Sequence, residues 1–238
     1  MLPFINTPTY KVEMPNGKAL TIRQILAGEY KILLDALVRG SDDTVALSVG
    51  DVIARCVKDP DFKFADLTIS EVEWLFMQMY KHGVDSNIRV QMRCEKDGCD
   101  TTFGLPIPIE EIEFSKPVSN VVEVADGVVI KLKEPCWQEW YSLQDKSADG
   151  PVLAMVIEQV WHNDQCFTLD NSEGRNPEST FTTEELVAWA DSLTTGALDG
   201  IVRFINNAPQ LKWERQITCP ACGNVETVKL TGLDDFFG

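Results

Sequence analysis

The sequence predicts an α+β fold in which helices and β-hairpins are held by a zinc-ribbon-like site of four cysteines. Three observations lead to this prediction. Apolar residues recur at helical spacing in several stretches, Asn-Gly and Asp-Gly turns interrupt alternating segments, and two pairs of cysteines each stand between alternating segments. Because alternation with a period of two is typical of strands, each cysteine pair is expected at a hairpin tip. These two tips, called knuckles here, are distant in sequence.

Two further hairpins are predicted from their turns. In YKVEMPNGKALTI, alternating residues flank Asn16 and Gly17, which tolerate the positive φ angles of a tight turn. In VVEVADGVVIKLKEP, Asp126 and Gly127 occupy the corresponding place. Both segments are therefore expected to fold back on themselves.

Three helices are predicted in the first third of the chain. Apolar residues at helical spacing predict a helix over 22–38, which Gly40 ends. Ser41 is expected to cap a second helix, and Cys56 lies on its apolar face as a buried packing residue. A third helix, SEVEWLFMQMYKHG, is expected to be capped by Ser70.

The second half is predicted to be mainly helical between its strands. The stretches CWQEWYSLQ and GPVLAMVIEQVW read as helices, whereas 163–182 is polar and lacks periodicity. Thr182 and Glu185 form a capping box that opens another helix, and a last helix runs through ALDGIVRFINN. The segment LKWERQIT then alternates as a strand into Cys219.

Composition and charge disfavour some classes of partner. The 238 residues carry a formal charge of −16, which disfavours nucleic acid and anionic membranes, because both are bound through clustered Lys and Arg. The sequence contains neither an apolar run long enough to span a membrane nor a signal peptide. A reducing cytosol is therefore expected, where cysteines are metal ligands, catalytic thiols or buried side chains rather than disulfides.

The two cysteine pairs predict one metal site. RVQMRCEKDGCDTTFGLPIPIEEIEF and ERQITCPACGNVETVKLTGLDDFF share an order of alternating strand, cysteine pair, outgoing strand, acidic pair and aromatic residue. In a zinc ribbon, two such knuckles supply two thiolates each to a tetrahedral Zn²⁺. The predicted ligands of a structural zinc ion are therefore Cys94, Cys99, Cys219 and Cys222.

A thiol-disulfide oxidoreductase that uses Cys219 and Cys222 is the alternative hypothesis. Redox dithiols of the thioredoxin type lie at the start of a helix, whose N-terminus lowers the pKa of the first thiol. Here the segment GNVETVKL follows, and its β-branched alternation predicts a strand. The zinc interpretation is therefore preferred.

Other catalytic constellations are not evident in the sequence, and no catalytic residue is predicted. The chain has two histidines, and it lacks a Gly-rich phosphate loop and a GxSxG motif. The acidic pairs Glu110-Glu111 and Asp234-Asp235 are interpreted as solvated ends of hairpins. His82 is interpreted as a solvated cation at a helix C-terminus, and Cys136 as structural.

The predicted organisation is a single α+β unit over 1–238. Within it, 87–114 and 211–235 are expected to form a discontinuous zinc-ribbon-like subdomain. The residues between them, 115–210, are expected to form a hairpin and a helical region. A shared metal ion would tie the two distant knuckles together.

With both knuckles identified, the sequence resembles the baseplate hub and hub-assembly proteins of T4-type contractile-tailed bacteriophages. The resemblance begins at LPFINTPTYKVEMPNGKALTIR, continues through SEVEWLFMQMYKHGVDSNIRVQMRC and INNAPQLKWERQITCPACGN, and closes on LTGLDDFFG. It covers nearly the full chain in the same order. The first pair, CEKDGC, departs from the family pattern because relatives more often have two residues between these cysteines.

The resemblance implies a non-enzymatic role in building the phage tail. It implies binding to hub subunits and other tail proteins, either as a hub component or as an assembly chaperone that is absent from the finished particle. The implied location is the host cytoplasm during phage assembly, with the virion baseplate as the alternative. The sequence leaves open the oligomeric state, the choice between these two roles, and whether the four cysteines share one zinc ion.

Overall fold

A computed structural model describes residues 6–39, 42–143 and 149–237. The chain divides into two compact units. Unit 1 contains the described residues of Met1–Phe64, Ser70–Ser115 and Gln210–Gly238. Unit 2 contains those of Ala65–Ile69 and Lys116–Pro209.

Helices and antiparallel strands alternate along the described residues, which confirms the predicted α+β class. In the N-terminal half these are β1 (Thr9–Glu13), β2 (Ala19–Arg23), α1 (Ala27–Arg39), α2 (Asp42–Cys56), α3 (Ile69–Gly83), β3 (Asn87–Arg93), β4 (Thr102–Pro108) and β5 (Glu113–Phe114). There follow β6 (Val121–Ala125), β7 (Val128–Leu132), α4 (Trp137–Ser142), α5 (Asp149–Val156), β8 (Ile157–His162), β9 (Gln165–Leu169), β10 (Thr180–Phe181), α6 (Thr183–Ala190), α7 (Thr195–Asn206), β11 (Leu211–Thr218), β12 (Val225–Thr231) and α8 (Gly232–Phe237).

Unit 1 is built from hairpins packed with helices. Strands β1 and β2 form the predicted hairpin, and Gly17 at its turn has a φ of +81°. Strands β3 and β4 form a second hairpin, and β12, β11 and β5 form a three-stranded sheet. The backbone N–H of Ser115 donates to the carbonyl of Gln210 at 2.9 Å, so unit 1 closes on itself where residues 116–209 leave and return. Its core includes Met77, Ile107, Leu211, Trp213 and Phe236.

Unit 2 contains a five-stranded sheet in the order β10-β9-β8-β7-β6. Its pairs are antiparallel except for the short parallel pair between β9 and β10. The predicted turn between β6 and β7 is present, and Gly127 there has a φ of +69°. Apolar residues of the sheet, of α5, of α6 and of α7 form its core, with Ile130, Leu132, Ile157, Leu186 and Ile201 almost fully buried.

The predicted N-terminal helix boundaries are partly wrong. Ile22 lies within β2 rather than beginning a helix, and it is fully buried opposite Tyr10. Helix α1 begins later because the Glu29 carboxylate accepts the backbone N–H of Leu26 and so fixes the helix start. Helix α3 begins at Ile69, so the expected cap residue Ser70 lies inside its first turn. The predicted stop and cap at residues 40–41 lie outside the described residues.

Two predictions in unit 2 are wrong. The predicted helix GPVLAMVIEQVW ends at Val156, and Ile157–His162 forms β8 in the sheet. Isoleucine, valine and tryptophan favour strands, and pairing with a neighbour on each side overrides the short helical pattern. The stretch 163–182, expected to lack regular structure, contributes β9 and β10. The capping box of Thr182 and Glu185 at the start of α6 is confirmed.

Candidate metal centre

The first knuckle connects β3 to β4. The backbone N–H of Cys94 donates to the carbonyl of Thr101 at 3.0 Å, and the N–H of Cys99 donates to the carbonyl of Lys96 at 3.0 Å. Gly98 has a φ of +78°, which L side chains rarely adopt, so a glycine suits this turn. These bonds hold both thiols on one side of the turn despite the four residues between them.

The second knuckle connects β11 to β12 in the same way. The backbone N–H of Cys219 donates to the carbonyl of Asn224 at 2.8 Å, and the N–H of Gly223 donates back to the carbonyl of Cys219 at 3.0 Å. Gly223 has a φ of +68°. Both cysteine pairs therefore lie at hairpin tips, as the sequence predicts.

The four thiols of the two knuckles come together. The Sγ atoms of Cys94 and Cys222 are 3.7 Å apart, those of Cys99 and Cys219 are 3.9 Å apart, and all four lie within 4.8 Å of one another. A tetrahedral zinc ion with Zn–S bonds of about 2.3 Å requires sulfur atoms separated by about 3.8 Å. The arrangement fits a single four-coordinate ion, with each close sulfur pair bridging the two knuckles.

The environment of the cluster is typical of a closed site. Cys94 and Cys219 are buried, while Cys99 and Cys222 keep part of their surface in solvent. Four sulfur donors without oxygen or nitrogen ligands favour Zn²⁺ over hard cations such as Mg²⁺ or Ca²⁺. If all four thiols bind, no coordination position is left for water or a substrate.

The four thiols differ in their tendency to ionise. Hydrogen bonds from the side chain and backbone of Thr101 lower the pKa of Cys99 to about 6, and the backbone N–H of Cys222 lowers the pKa of Cys219. A backbone hydrogen bond also favours the Cys94 thiolate, but burial and the neighbouring thiols outweigh it and raise the pKa of Cys94 to about 12. A divalent cation bound between the thiols would lower the pKa of all four, because it favours the ionised form of every ligand.

The segment after Cys222 is a strand. Strand β12 begins at Val225 and pairs with β11 along its whole length. The helix N-terminus that activates thioredoxin-type dithiols therefore does not follow this cysteine pair.

Three of the four carboxylates in the acidic pairs have structural partners. Glu110 pairs with Lys81 at 3.2 Å, and Glu111 pairs with Arg215 at 3.3 Å. Asp235 accepts the backbone N–H of Thr231 at 2.7 Å, so it fixes the start of α8. These contacts give Glu110, Glu111 and Asp235 structural roles.

Cys56, Cys136, Cys166 and His82 do not belong to the group of four clustered thiols. Cys56 is fully buried, as predicted, and burial raises its pKa to about 11. Cys136 immediately precedes α4, and Cys166 lies within β9. His82 differs from its interpretation as a solvated cation: it stacks on Tyr10 with ring centroids 4.0 Å apart, and burial lowers its pKa.

Sequence reasoning did not identify a cavity of about 330 Å³ in unit 2. Its walls come from β7, β8, β9, β10 and α6. The missed strands β8 and β9 explain this, because the cavity forms only where their side chains face α6. The segment QCFTL does not alternate strictly between polar and apolar residues, so it gives no clear local signal for β9 or for the cavity.

Comparison with known protein families gives a match over nearly the whole chain. A family model described as T4 bacteriophage base plate protein matches residues 7–238. No curated protein and no solved structure gives a significant match. Within the described part of the chain, no helix combines the length and apolar character needed to cross a membrane.

Proposed function

The chain belongs to the family of T4 bacteriophage base plate proteins, and from this we propose that it acts in assembly of the hub at the centre of the baseplate by binding hub subunits. In this role it is a binding protein rather than an enzyme. It serves either as a resident hub component or as a chaperone that leaves before the particle is complete. The family match over nearly the whole chain is the observation that carries this proposal.

The cysteine cluster supports a scaffolding role. We propose that Cys94, Cys99, Cys219 and Cys222 hold one structural Zn²⁺, which supplies positive charge to the thiolates and cross-links the two knuckles. Because metal binding to such a site contributes folding free energy, the ion would stabilise unit 1. A site closed by four sulfur atoms favours stability over catalysis.

An exposed apolar stripe on α1 supports binding to other baseplate proteins. Leu26, Tyr30, Leu34 and Val38 recur every four residues along or just before the helix and are 38–81% exposed. Residues four apart lie on the same side of a helix, so the stripe is continuous. Contiguous exposed apolar surface is a common feature of protein–protein interaction sites.

The net charge of −16 is a second feature that a binding partner would have to match. A strongly acidic surface favours association with basic protein surfaces and raises the association rate more than the affinity. A hub subunit with apolar residues bordered by Lys or Arg would satisfy both features.

Pairwise co-expression with each hub and baseplate protein of the same phage tests the proposal. The expected result is a defined complex with one hub subunit, observed by size-exclusion chromatography with light scattering. Quantitative mass spectrometry of mature virions then distinguishes the two roles, since a resident component is present in fixed stoichiometry and a chaperone is not. If the protein associates with none of the hub subunits, the proposal is contradicted.

A further inference from the structure

The cavity of about 330 Å³ in unit 2 has one wall from the sheet and one from α6. On the sheet, Val160 pairs with Phe167 across β8 and β9, and Val128 pairs with His162 across β7 and β8. Paired residues of adjacent strands point to the same face, so these side chains form one continuous wall. Leu186 and Trp189 of α6 lie opposite.

The cavity is apolar inside and open at its mouth. Leu186 at its base is only 2% exposed, whereas the aromatic side chains of Phe167, Phe181 and Trp189 are half-buried. His162 and Glu185 are exposed and provide its polar lining. A desolvated apolar pocket with aromatic walls and a polar rim is typical of the sites that receive an anchor side chain at protein interfaces.

The polar groups of the rim do not form a recognition set for a polar metabolite. Glu185 Oε1 accepts a hydrogen bond from Arg175 at 2.5 Å, and its Oε2 accepts the backbone N–H of Thr182 at 2.9 Å. Both carboxylate oxygens are therefore engaged in holding the start of α6. Small-molecule sites usually place several convergent polar groups around the ligand, whereas this cavity offers mainly apolar contact.

The chain segment that forms most of the cavity is strongly acidic. Residues 157–192 carry eight carboxylates and one basic side chain, Arg175, apart from His162. Asp164 follows His162 in the β8–β9 turn, and Glu184 precedes Glu185 in α6; both are exposed. This charge favours a basic partner and disfavours a second copy of the same chain, whose acidic surface would be repelled.

We propose that this cavity is a docking pocket for a large apolar side chain, aromatic or branched aliphatic, flanked by Lys or Arg in a segment of another baseplate protein. The apolar anchor would fill the space between Phe167 and Trp189, and its basic neighbours would be attracted by the exposed carboxylates of the surrounding segment, such as Asp164 and Glu184. The identification of the occupant as a baseplate protein rests on the proposed function. The preference of the pocket for an apolar side chain with basic neighbours is independent of the proposed function.

A short peptide tests the pocket directly. Isotope-labelled full-length protein is titrated with acetyl-Lys-Trp-Leu-Lys-amide and followed by NMR. The expected result is a dissociation constant below about 1 mM, with shifts centred on amides of β8, β9 and α6. Acetyl-Glu-Trp-Leu-Glu-amide and acetyl-Lys-Gly-Ser-Lys-amide are the matched control peptides, and each is expected to bind at least about tenfold more weakly. Shifts elsewhere, or equal binding of all three peptides, would overturn the proposal.

Variants on one strand provide a matched pair. Val160→Phe places a larger side chain in the cavity and is expected to weaken binding of the basic peptide by at least about tenfold. Trp161→Phe changes the neighbouring residue, which points to the opposite face of the sheet, and is expected to alter binding less than about twofold. Equal effects of the two changes would overturn the assignment of the binding site.

A second variant keeps the test decisive if Val160→Phe does not fold. The double change Asp164→Asn with Glu184→Gln removes two exposed charges while keeping the shape of the side chains. It is expected to weaken binding about threefold at low salt, with a smaller effect at high salt. An unchanged affinity at low salt would refute the electrostatic part of the proposal.

The pocket and the proposed function can fail separately. If a hub subunit binds the wild-type protein and the Val160→Phe protein equally, the pocket is not its docking site, although the proposed function stands. If the basic peptide binds in the cavity but no baseplate protein associates with the chain, the pocket chemistry stands and the proposed function fails.

Discussion

The Sγ atoms of Cys94 and Cys222 lie 3.7 Å apart although 128 positions separate these residues in the chain. Two hairpins that are distant in sequence therefore converge at their tips within unit 1. The same convergence brings Cys99 within 3.9 Å of Cys219. Four converging thiols would repel one another as thiolates, so the arrangement is best stabilised by a cation between them.

Purified protein without a histidine tag is expected to contain about one zinc ion per chain. Four of the seven cysteines should react with a thiol reagent only after chelation, because coordination protects thiolates. Elemental mass spectrometry together with thiol counting measures both quantities. Metal-free protein with four freely reactive cluster thiols would contradict the zinc assignment.

Cys219→Ser is expected to lower the free energy of unfolding by at least about 3 kcal/mol and to abolish zinc binding, because a structural metal contributes folding free energy. Cys166→Ser is the matched control, since this half-buried cysteine lies in β9 and outside the cluster, and it should cost less than about 1 kcal/mol. Urea unfolding of the three proteins measures the difference.

The same variant separates a metal site from a redox dithiol. A thiol-disulfide oxidoreductase would keep its fold when Cys219 is replaced and would lose disulfide-exchange activity. If the Cys219→Ser protein is as stable as the wild-type protein and such activity disappears, the redox hypothesis is the correct one.

Local patterns predicted the cluster well. The knuckle around Cys219 could be recognised because alternating segments precede and follow the cysteines, and Gly223 supplies a turn residue of positive φ. Even the longer spacing between Cys94 and Cys99 was compatible, since backbone hydrogen bonds within the turn compensate for it. These signals are contained in a few neighbouring residues.

The features that were missed depend on partners distant in the chain. Apolar residues such as Val156 and Ile157 can be buried in a helix or in a strand. Only pairing with β7 and β9 makes Ile157–His162 a strand. Short apolar runs cannot be assigned to helix or strand from periodicity alone. The cavity could not be predicted for the same reason, because its walls require the correct sheet order.

Glu29→Gln is expected to destabilise the protein by about 3 kcal/mol at neutral pH, because it leaves the buried guanidinium of Arg23 without a counter-charge. Arg23 donates to both carboxylate oxygens of Glu29, from Nη1 to Oε2 at 2.8 Å and from Nη2 to Oε1 at 2.5 Å. Both side chains are about one-tenth exposed. Chemical denaturation measures the effect. Asp51→Asn, which removes the half-exposed ion pair with Arg55, is the control and should cost less than about 1 kcal/mol.

The cost of Glu29→Gln should depend on pH. The hydrogen bond from Arg23 lowers the pKa of Glu29 below its ordinary value of 4.5. A lowered pKa in the folded state contributes stability that is fully present above the unfolded pKa and is lost as the pH falls through the folded pKa. The difference between wild type and variant should therefore be constant near neutral pH and shrink below about pH 4. A difference that grows on acidification would contradict this explanation.

Gly200→Ala is expected to destabilise unit 2 by about 1–2 kcal/mol, although alanine is the better helix former. A Cβ at Gly200 in α7 would stand 2.7 Å from Cγ1 of Val122 in β6, and a β-branched side chain moves aside poorly. Gly196→Ala in the same helix is the control, because among the described residues no atom outside its own helical turn lies within 4 Å of its Cβ position, and it should be neutral or slightly stabilising. Thermal unfolding should also show that Val122→Ala reduces the cost of Gly200→Ala.

Leu34→Glu is expected to weaken association with a hub subunit by about tenfold or more while leaving the free energy of unfolding within about 0.5 kcal/mol of wild type. Leu34 is 43% exposed in the middle of the α1 stripe, so a carboxylate there remains hydrated in the free protein but must lose water in an interface. Val202→Glu on α7, at a position that is 50% exposed, introduces the same charge elsewhere and serves as the control. Isothermal titration calorimetry with the hub subunit identified by co-expression measures both affinities. If the two variants bind equally well, the stripe on α1 does not contact that subunit, and the association must use another surface.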